Sequence, residues 1–176
     1  LELGSRRLEA AGLTDRAELR EGDMRDFDLG RRYPLVIAGF NTLMHLHSLG
    51  DQDRALASVR EHLEPGGLFA FDLYAPRFGE MGVVRSEPEW RHVGGQDGEL
   101  FLVQEHDELN QTVTSRYFLD STAADGTLRR RTATLRQRYY TRFEIERALQ
   151  ANGFANIAIA GGFDGSPLTA ESGHFV

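Results

Sequence analysis

The 176-residue sequence contains no cysteine and no lysine. Without cysteine there are no disulfides, no thiolate metal sites and no cysteine nucleophile. All 20 cationic residues are arginine. That excludes Schiff-base chemistry, the lysine of phosphate-binding loops and a lysine general base. No apolar run approaches the ~18 residues of a membrane span, and no basic-then-apolar leader opens the chain. Repeats, low-complexity tracts and flexible linkers are absent as well. A net charge of −7 and a pI near 5.4 argue against a nucleic-acid backbone as the main partner. What is present is a composition 40% hydrophobic and 10% aromatic, enough to bury a core. The length suits one full domain, and a cytoplasmic enzyme acting on a small molecule fits these limits.

Strand and helix alternate through the first half. "LELGS" (1–5) reads as the end of a buried strand running into a glycine turn, and "RRLEAAG" as the back half of a helix. A strand is expected over Ala17 to Glu21. "LVIAGF" (Leu35 to Phe40) is a continuous apolar run, the pattern of a strand covered on both faces. Asp51 can cap a helix whose Ala55, Leu56, Val59 and Leu63 share one stripe. "EPGG" would end that helix, with Gly66 or Gly67 at positive φ. "LFAFDLY" (Leu68 to Tyr74) is the next buried strand, so the unit implies a parallel crossover.

From about Glu87 to Tyr140 the residues alternate with period two, with a turn at Ala124-Asp125-Gly126. These are antiparallel strands with one wet face. Helical pattern returns at "TRFEIERALQANGF": Thr141 and Glu144 form a capping box, Ile145, Leu149 and Phe154 make the stripe, and Gly153 stops it. "NIAIAGGF" reads as a strand and "GHFV" as the start of a last one.

Three motifs sit where ligands bind in open parallel sheets, beyond the carboxyl ends of strands. In "EGDMRDF", Asp23 can accept from the exocyclic amine of a base, and Met24 can offer a backbone N–H and a soft flat contact. The plainer alternative is an Asp turn followed by a packing methionine. In "GFNTLMHLH", Phe40 to Thr42 lie at the strand edge, and His45 or His47 can serve as a general base. Spaced i and i+2, the two histidines make a poor metal pair, and no metal is expected. "FDLY" ends the third strand and offers Asp72 and Tyr74 as substrate contacts.

In order, "LELGS", "EGDMRDF", "PLVIAGFNTLMHL", "ALASVREHLEPGGLFAFDLYAP" and "YYTRFEIERALQANGF" resemble the class I S-adenosylmethionine-dependent methyltransferases. The nearest branch is the small-molecule one with an antiparallel sheet inserted after the fifth strand, which includes amino-sugar and glycine N-methyltransferase-like enzymes. The resemblance implies an α/β fold: a doubly wound, Rossmann-like, mostly parallel sheet with helices on both faces, plus a small inserted antiparallel sheet. It implies a main domain over 1–84 and 141–176 and an inserted subdomain over 85–140 that covers the substrate pocket. It also implies S-adenosyl-L-methionine as cofactor. Glu2 and Gly4 would hold its methionine part, Asp23 and Met24 would flank the adenine, and Phe40 and Asn41 would approach the amino-acid and sulfonium end. The implied reaction is methyl transfer to a small-molecule acceptor, an amine foremost, with His45, Asp72 and Tyr74 as catalytic candidates. Trp90, Arg116 and Tyr139 are weaker candidates for the pocket roof. Neither nucleic acid nor membrane is an expected partner, and a homodimer is the assembly to test.

One place departs from the family. The glycine-x-glycine-x-glycine loop, the second strand and the acidic residue for the ribose hydroxyls have no counterpart between Ser5 and Arg6. Either a segment of roughly three dozen residues is absent there, or the chain runs on directly. In the second case the short crossover still closes, but the ribose clamp is gone and a non-catalytic domain becomes the alternative. The first reading fits better, because the pieces on each side match the family and only their junction does not. An NAD-dependent oxidoreductase on a similar sheet is the other rival; "EPGG" and the added antiparallel sheet speak against it.

Overall fold

The structure, a computed structural model, describes residues 1–76, 89–93 and 96–176, and for 89–97 the backbone alone. The expected onset of the alternating region at Glu87 and the boundary at 84/85 lie outside the described residues.

The chain opens on a helix, α1 (Glu2–Ala10), not on a strand. Its leucines, glutamates, arginines and alanines are good helix formers, and among the described residues no strand pairs with "LELGS". Ser5 N–H donates to the Leu1 carbonyl at 3.0 Å and Glu2 reaches Arg6 at 3.6 Å, one turn on. Ser5 and Arg6 therefore both lie within α1. Residues 17–21 form no strand and are exposed. They lack a ladder partner, because β1 (Tyr33–Ala38) pairs only with β2 (Leu63–Phe71) among the described residues.

The β1–β2 pair is parallel, with Leu35 opposite Leu68 and Ala38 opposite Phe71. Between them runs α2 (Leu49–Glu61), whose Ala55, Leu56 and Val59 are buried as the stripe requires. Its cap is Ser48, whose side chain accepts from the Asp51 N–H; Asp51 stands in the first turn instead of capping it. Gly66 has φ of 78°, but it kinks the start of β2, five residues beyond the end of the helix, where the β1–β2 register shifts. Side chains alternate across a strand. Val36, Ala38, Phe69 and Phe71 therefore turn to one side, and Ala38, Phe69 and Phe71 pack on the core there. Leu35, Ile37 and Leu68 turn to the other and are 46%, 68% and 62% exposed, so only one face of the sheet is covered.

His62 ties the preceding loop to this unit. Its Nε2 accepts from the Leu29 N–H, its Nδ1 bonds the Ser58 carbonyl, and its ring lies 4.6 Å from that of Phe27. This pairing requires the neutral tautomer with the proton on Nδ1.

The alternating region forms a four-stranded antiparallel sheet in the order β4 (Glu89–Val93), β5 (Gln96–Asp107), β6 (Thr112–Thr122), β7 (Leu128–Arg138). The turn into β7 is the expected one, with Gly126 at φ of 82° and Asp125 accepting from Thr127. β7 is an edge strand carrying five arginines, a charge that discourages edge pairing with other chains.

Helix α3 (Arg142–Ala151) carries the expected Thr141–Glu144 capping box and ends before Gly153 at φ of 82°. "NIAIAGGF" forms no strand; Ala160 makes one bridge to Pro167 and a reciprocal pair of backbone bonds with Val176. "GHFV" does supply a strand, β8 (His174–Phe175), antiparallel to β3 (Leu73–Tyr74).

The core joins these parts. Leu43, Met44, Leu46, Leu56, Leu73, Tyr140, Ile145 and Leu149 are all buried. Tyr140, 1% exposed, donates its hydroxyl to the Leu43 carbonyl at 3.1 Å, and burial pushes its phenol well above the ordinary range. Leu56 is 2% exposed in this cluster. Leu56→Ala should cost about 2–5 kcal/mol of stability, read as a drop in urea midpoint; a cost under about 0.5 kcal/mol, the range of surface changes, would contradict the packing described.

Candidate functional site

At the carboxyl end of β1 the chain turns through Phe40 and Asn41, with φ of 60° and 59°. Neither is glycine, and left-handed backbone costs an L-residue roughly 1–2 kcal/mol. Phe40 is also 96% exposed, so it recovers nothing by burial. The corner is held by Asp72, buried at the end of β2. One carboxylate oxygen accepts from the Phe40 N–H at 2.6 Å and the other from the Asn41 N–H at 3.2 Å. Asn41 then caps a 3-10 turn over Thr42–His45, and Thr42 donates back to the Gly39 carbonyl at 2.5 Å. The strained pair is over-determined by its surroundings, the usual signature of a functional position.

The Asn41 side-chain oxygen is buried and has no hydrogen-bond partner. An orphaned acceptor of this kind fits a donor such as an ammonium group. Next to it, His45 and His47 are exposed. Partial desolvation, and next the Arg136 guanidinium, draws His47 below the ordinary imidazole range. β7 lies against this turn, and Tyr140 anchors the turn from the far end of the same segment.

The other expected residues fall as follows. Met24 is half-buried and packs against the core cluster, as Ala38 and Phe71 do. Asp23 is engaged by Arg25, which donates to both its oxygens at 2.6–3.1 Å, and this holds its carboxyl down to about 2. Arg25 also reaches Asp51 at 3.1 Å, joining this loop to the start of α2. A base amine meeting Asp23 would have to compete with that guanidinium. Glu2 and Gly4 lie on the exposed helix α1 instead of at a strand end. Tyr74 is half-buried against the core. Arg116 is exposed and pairs with Glu105 at 3.3 Å, and Tyr139 is a core residue. Trp90 stands on β4 opposite Glu99, but its side chain is outside the described residues. The corner therefore brings together Phe40, Asn41 and Asp72, with His45 one short turn away.

Two features were missed in the sequence, one of them local and one not. Arg25 sits two residues from Asp23, close enough to have been foreseen as its partner. The Tyr140–Leu43 bond joins residues 97 apart, and no local pattern announces it.

No family model matches the sequence. Over 52 residues the chain is 46% identical to the dTDP-3-amino-3,4,6-trideoxy-alpha-D-glucopyranose N,N-dimethyltransferase of Streptomyces venezuelae, covering 30% of this chain and 22% of that enzyme. Among solved structures, an S-adenosylmethionine-dependent methyltransferase from Clostridium acetobutylicum aligns with a TM-score of 0.80 at 13% identity, over 97% of this chain and 66% of the other. The CcbJ methyltransferase of Streptomyces caelestis aligns with a TM-score of 0.72 at 26% identity, over 88% of this chain and 59% of the other. The expected α/β, Rossmann-like reading stands: the chain has the fold of the S-adenosylmethionine-dependent methyltransferases, and over 52 residues it is a relative of an amino-sugar N,N-dimethyltransferase.

Proposed function

We propose that this protein transfers a methyl group from S-adenosylmethionine to the amine of a small molecule, a nucleotide-linked amino sugar. The observation that carries the reading is the strained Phe40–Asn41 corner with its orphaned Asn41 oxygen. The substrate class follows the relative that acts on a dTDP-amino sugar.

The residues at the corner suit the amino-acid end of the cofactor. Asn41 Oδ1 offers an acceptor to its ammonium, and Met24 and the exposed Phe40 ring offer apolar contact. The residues of α1 do not suit it, since Glu2 and Gly4 form no loop there. When bound, the cofactor supplies an electrophilic methyl on a sulfonium centre. The protein's part is alignment and exclusion of water. Asp72 acts as a positioning residue, because both its oxygens are spent on backbone N–H groups. His45, exposed at the end of the 3-10 turn, or His47, whose imidazole is drawn below its ordinary range by desolvation, takes the proton the amine must lose. Tyr74 is a further contact at the rim. The antiparallel sheet roofs the acceptor pocket, as a subdomain over 85–140 inserted in a domain formed by 1–84 and 141–176. A cytoplasmic setting suits a chain without cysteine, and a homodimer is the assembly proposed.

A second reading, a domain that keeps the fold without the catalysis, is favoured by one observation: Glu2 and Gly4 lie on the helix α1 and make no glycine turn. Calorimetry with S-adenosylmethionine and with NADH, followed by mass spectrometry of a dTDP-amino sugar incubated with the protein, separates the readings. Heat with S-adenosylmethionine and a mass gain of one methyl group is the expected result. Heat with neither cofactor supports the second reading, and heat with NADH alone would make the protein an oxidoreductase. In the active protein, His45→Ala should lower kcat by about 10²-fold and leave cofactor affinity unchanged; unchanged turnover removes His45 from the mechanism. Phe40→Gly should raise stability by about 1 kcal/mol while weakening S-adenosylmethionine binding. A gain in stability with unaltered binding would make the corner a structural quirk.

A further inference from the structure

We propose that His62 is a positioning residue for the loop that carries Asp23 and Met24. Its neutral ring holds that loop on α2; a protonated ring exchanges the Leu29 N–H for the Asp28 carboxylate and lets the loop go. The consequence for the cofactor rests on the function proposed above, whereas the exchange itself does not. The loop is tied to α2 at three points, spaced down the helix. Arg25 reaches Asp51 at 3.1 Å, in the first turn. Phe27 meets the Ser58 hydroxyl twice, its N–H donating to the oxygen and its carbonyl accepting from it, both at 3.3 Å. Leu29 N–H donates to His62 Nε2 at 3.0 Å, where the helix ends.

Of these ties, one can titrate near neutrality. The Arg25 guanidinium is always charged. The Ser48 hydroxyl first, then the Arg54 and Arg25 guanidinium groups, hold the Asp51 carboxyl down to about 2. His62 differs, because both its ring nitrogens are engaged. Nδ1 faces the Ser58 carbonyl at 2.8 Å, which can only accept, so Nδ1 carries the proton and Nε2 keeps the lone pair that Leu29 uses. A second proton must go to Nε2, and an N–H there confronts the N–H of Leu29, so that bond breaks. The same nitrogen has a second partner at hand. Asp28 Oδ1 stands 3.7 Å from Nε2, on an exposed side chain that accepts from the Gly30 N–H at 2.7 Å. A charge-assisted bond to a carboxylate is stronger than a neutral one. The ring thus has one set of partners for each protonation state, and the sets differ at Nε2 alone.

The other charged groups near His62 are engaged elsewhere or face water. From the loop, Arg31 donates to the Tyr33 hydroxyl and Arg32 to the Glu61 carbonyl. From α2, Arg60 lies against Gly153 and the Glu61 side chain is exposed; Glu64, on β2, is exposed as well. Phe27, 4.6 Å away, brings no charge. Among the described residues, Asp28 is therefore the carboxylate that a protonated His62 meets. Losing the Leu29 tie leaves the loop on the Ser58 hydroxyl and on the exposed Arg25 pair. Asp23 and Met24, the residues expected to flank the adenine, are then less well placed. A competent site becomes rarer as pH falls, and apparent cofactor affinity falls with it.

The test follows backbone amides by hydrogen exchange in the full chain without ligand, at two pH values about one unit either side of 6.5, where an ordinary imidazole gains its proton. A step coupled to one such proton changes by about tenfold across that interval. The protection factor of Leu29 should fall by that much, while Met44 in the core keeps its own. His62→Gln can accept from Leu29 but takes no proton, and should protect Leu29 equally at both values. If glutamine falls short of Leu29, loss of protection at both values assigns the tie to His62 all the same. Asp28→Asn should move the fall to lower pH, since no carboxylate then favours the charged ring. Wild-type protection that ignores pH, or an equal fall in His62→Gln, would overturn the proposal; a fall at unchanged pH in Asp28→Asn removes the exchange of partners. Calorimetry with S-adenosylmethionine at the same two values then reads the consequence: affinity about tenfold weaker at the lower pH in the wild type, and equal in His62→Gln. Equal affinity in the wild type would refute the loop's part in binding. Absence of heat at both values sinks the proposed function, and the amide result still decides the exchange.

Discussion

The Asp72 carboxylate is the constraint on which the rest of the site depends. It stands between β2 and β3, buried, and spends both oxygens on the N–H groups of Phe40 and Asn41. A parallel pair leaves the carboxyl ends of its strands side by side, and that geometry alone puts Asp72 within reach of the residues that follow β1. Bonds to an ionised acceptor are worth roughly 1.5–3 kcal/mol each. Two of them offset the left-handed backbone of the corner. The 3-10 turn, the placing of His45 and the burial of Leu43 and Met44 all follow from the direction in which the chain leaves that corner.

Support for the corner comes from one side only. Leu73, fully buried, fixes the chain just after Asp72, and Tyr140 grips the Leu43 carbonyl from the end of the added sheet. α2 and α3 complete the same cluster. The opposite face of β1 and β2 shows Leu35, Ile37 and Leu68 to solvent. Parallel sheets are ordinarily covered on both faces, so this small sheet draws its stability from the core beneath it and not from its own ladder.

The sequence made legible those elements whose signals are local. The capping box of Thr141 and Glu144, the stop at Gly153 and the turn at Gly126 appear as read, and so does the α2 stripe at Ala55, Leu56 and Val59, whereas Leu63, expected on the same helix, opens β2 instead. The alternating region, too, forms the antiparallel sheet that its period of two required. What failed was whatever needed a neighbour. "LELGS", 17–21 and "NIAIAGGF" have strand-like composition, but a strand exists only in a ladder, and without a partner the first folds as helix and the others stay irregular. The same dependence explains the two-sided burial wrongly expected of "LVIAGF". At the site, strand-edge position picked out Phe40, Asn41 and Asp72. It could not reveal that Asp72 would be consumed in holding the other two, because that role rests on a contact between residues 32 apart.

The asymmetry bears on how the chemistry can be organised. A corner pinned by a buried carboxylate is held in place by its own hydrogen bonds, so under the proposed function the Asn41 acceptor would be preorganised and would cost little to use. The loop carrying Asp23 is different: it is attached through the exposed Arg25 to Asp51 and through His62 to Leu29. Surface ion pairs of that kind hold loosely. A ligand spanning both would meet one fixed end and one adjustable end. Binding energy gained at the adjustable end can then be used to press the reacting group against the fixed one, which is how remote contacts contribute to rate and not only to affinity.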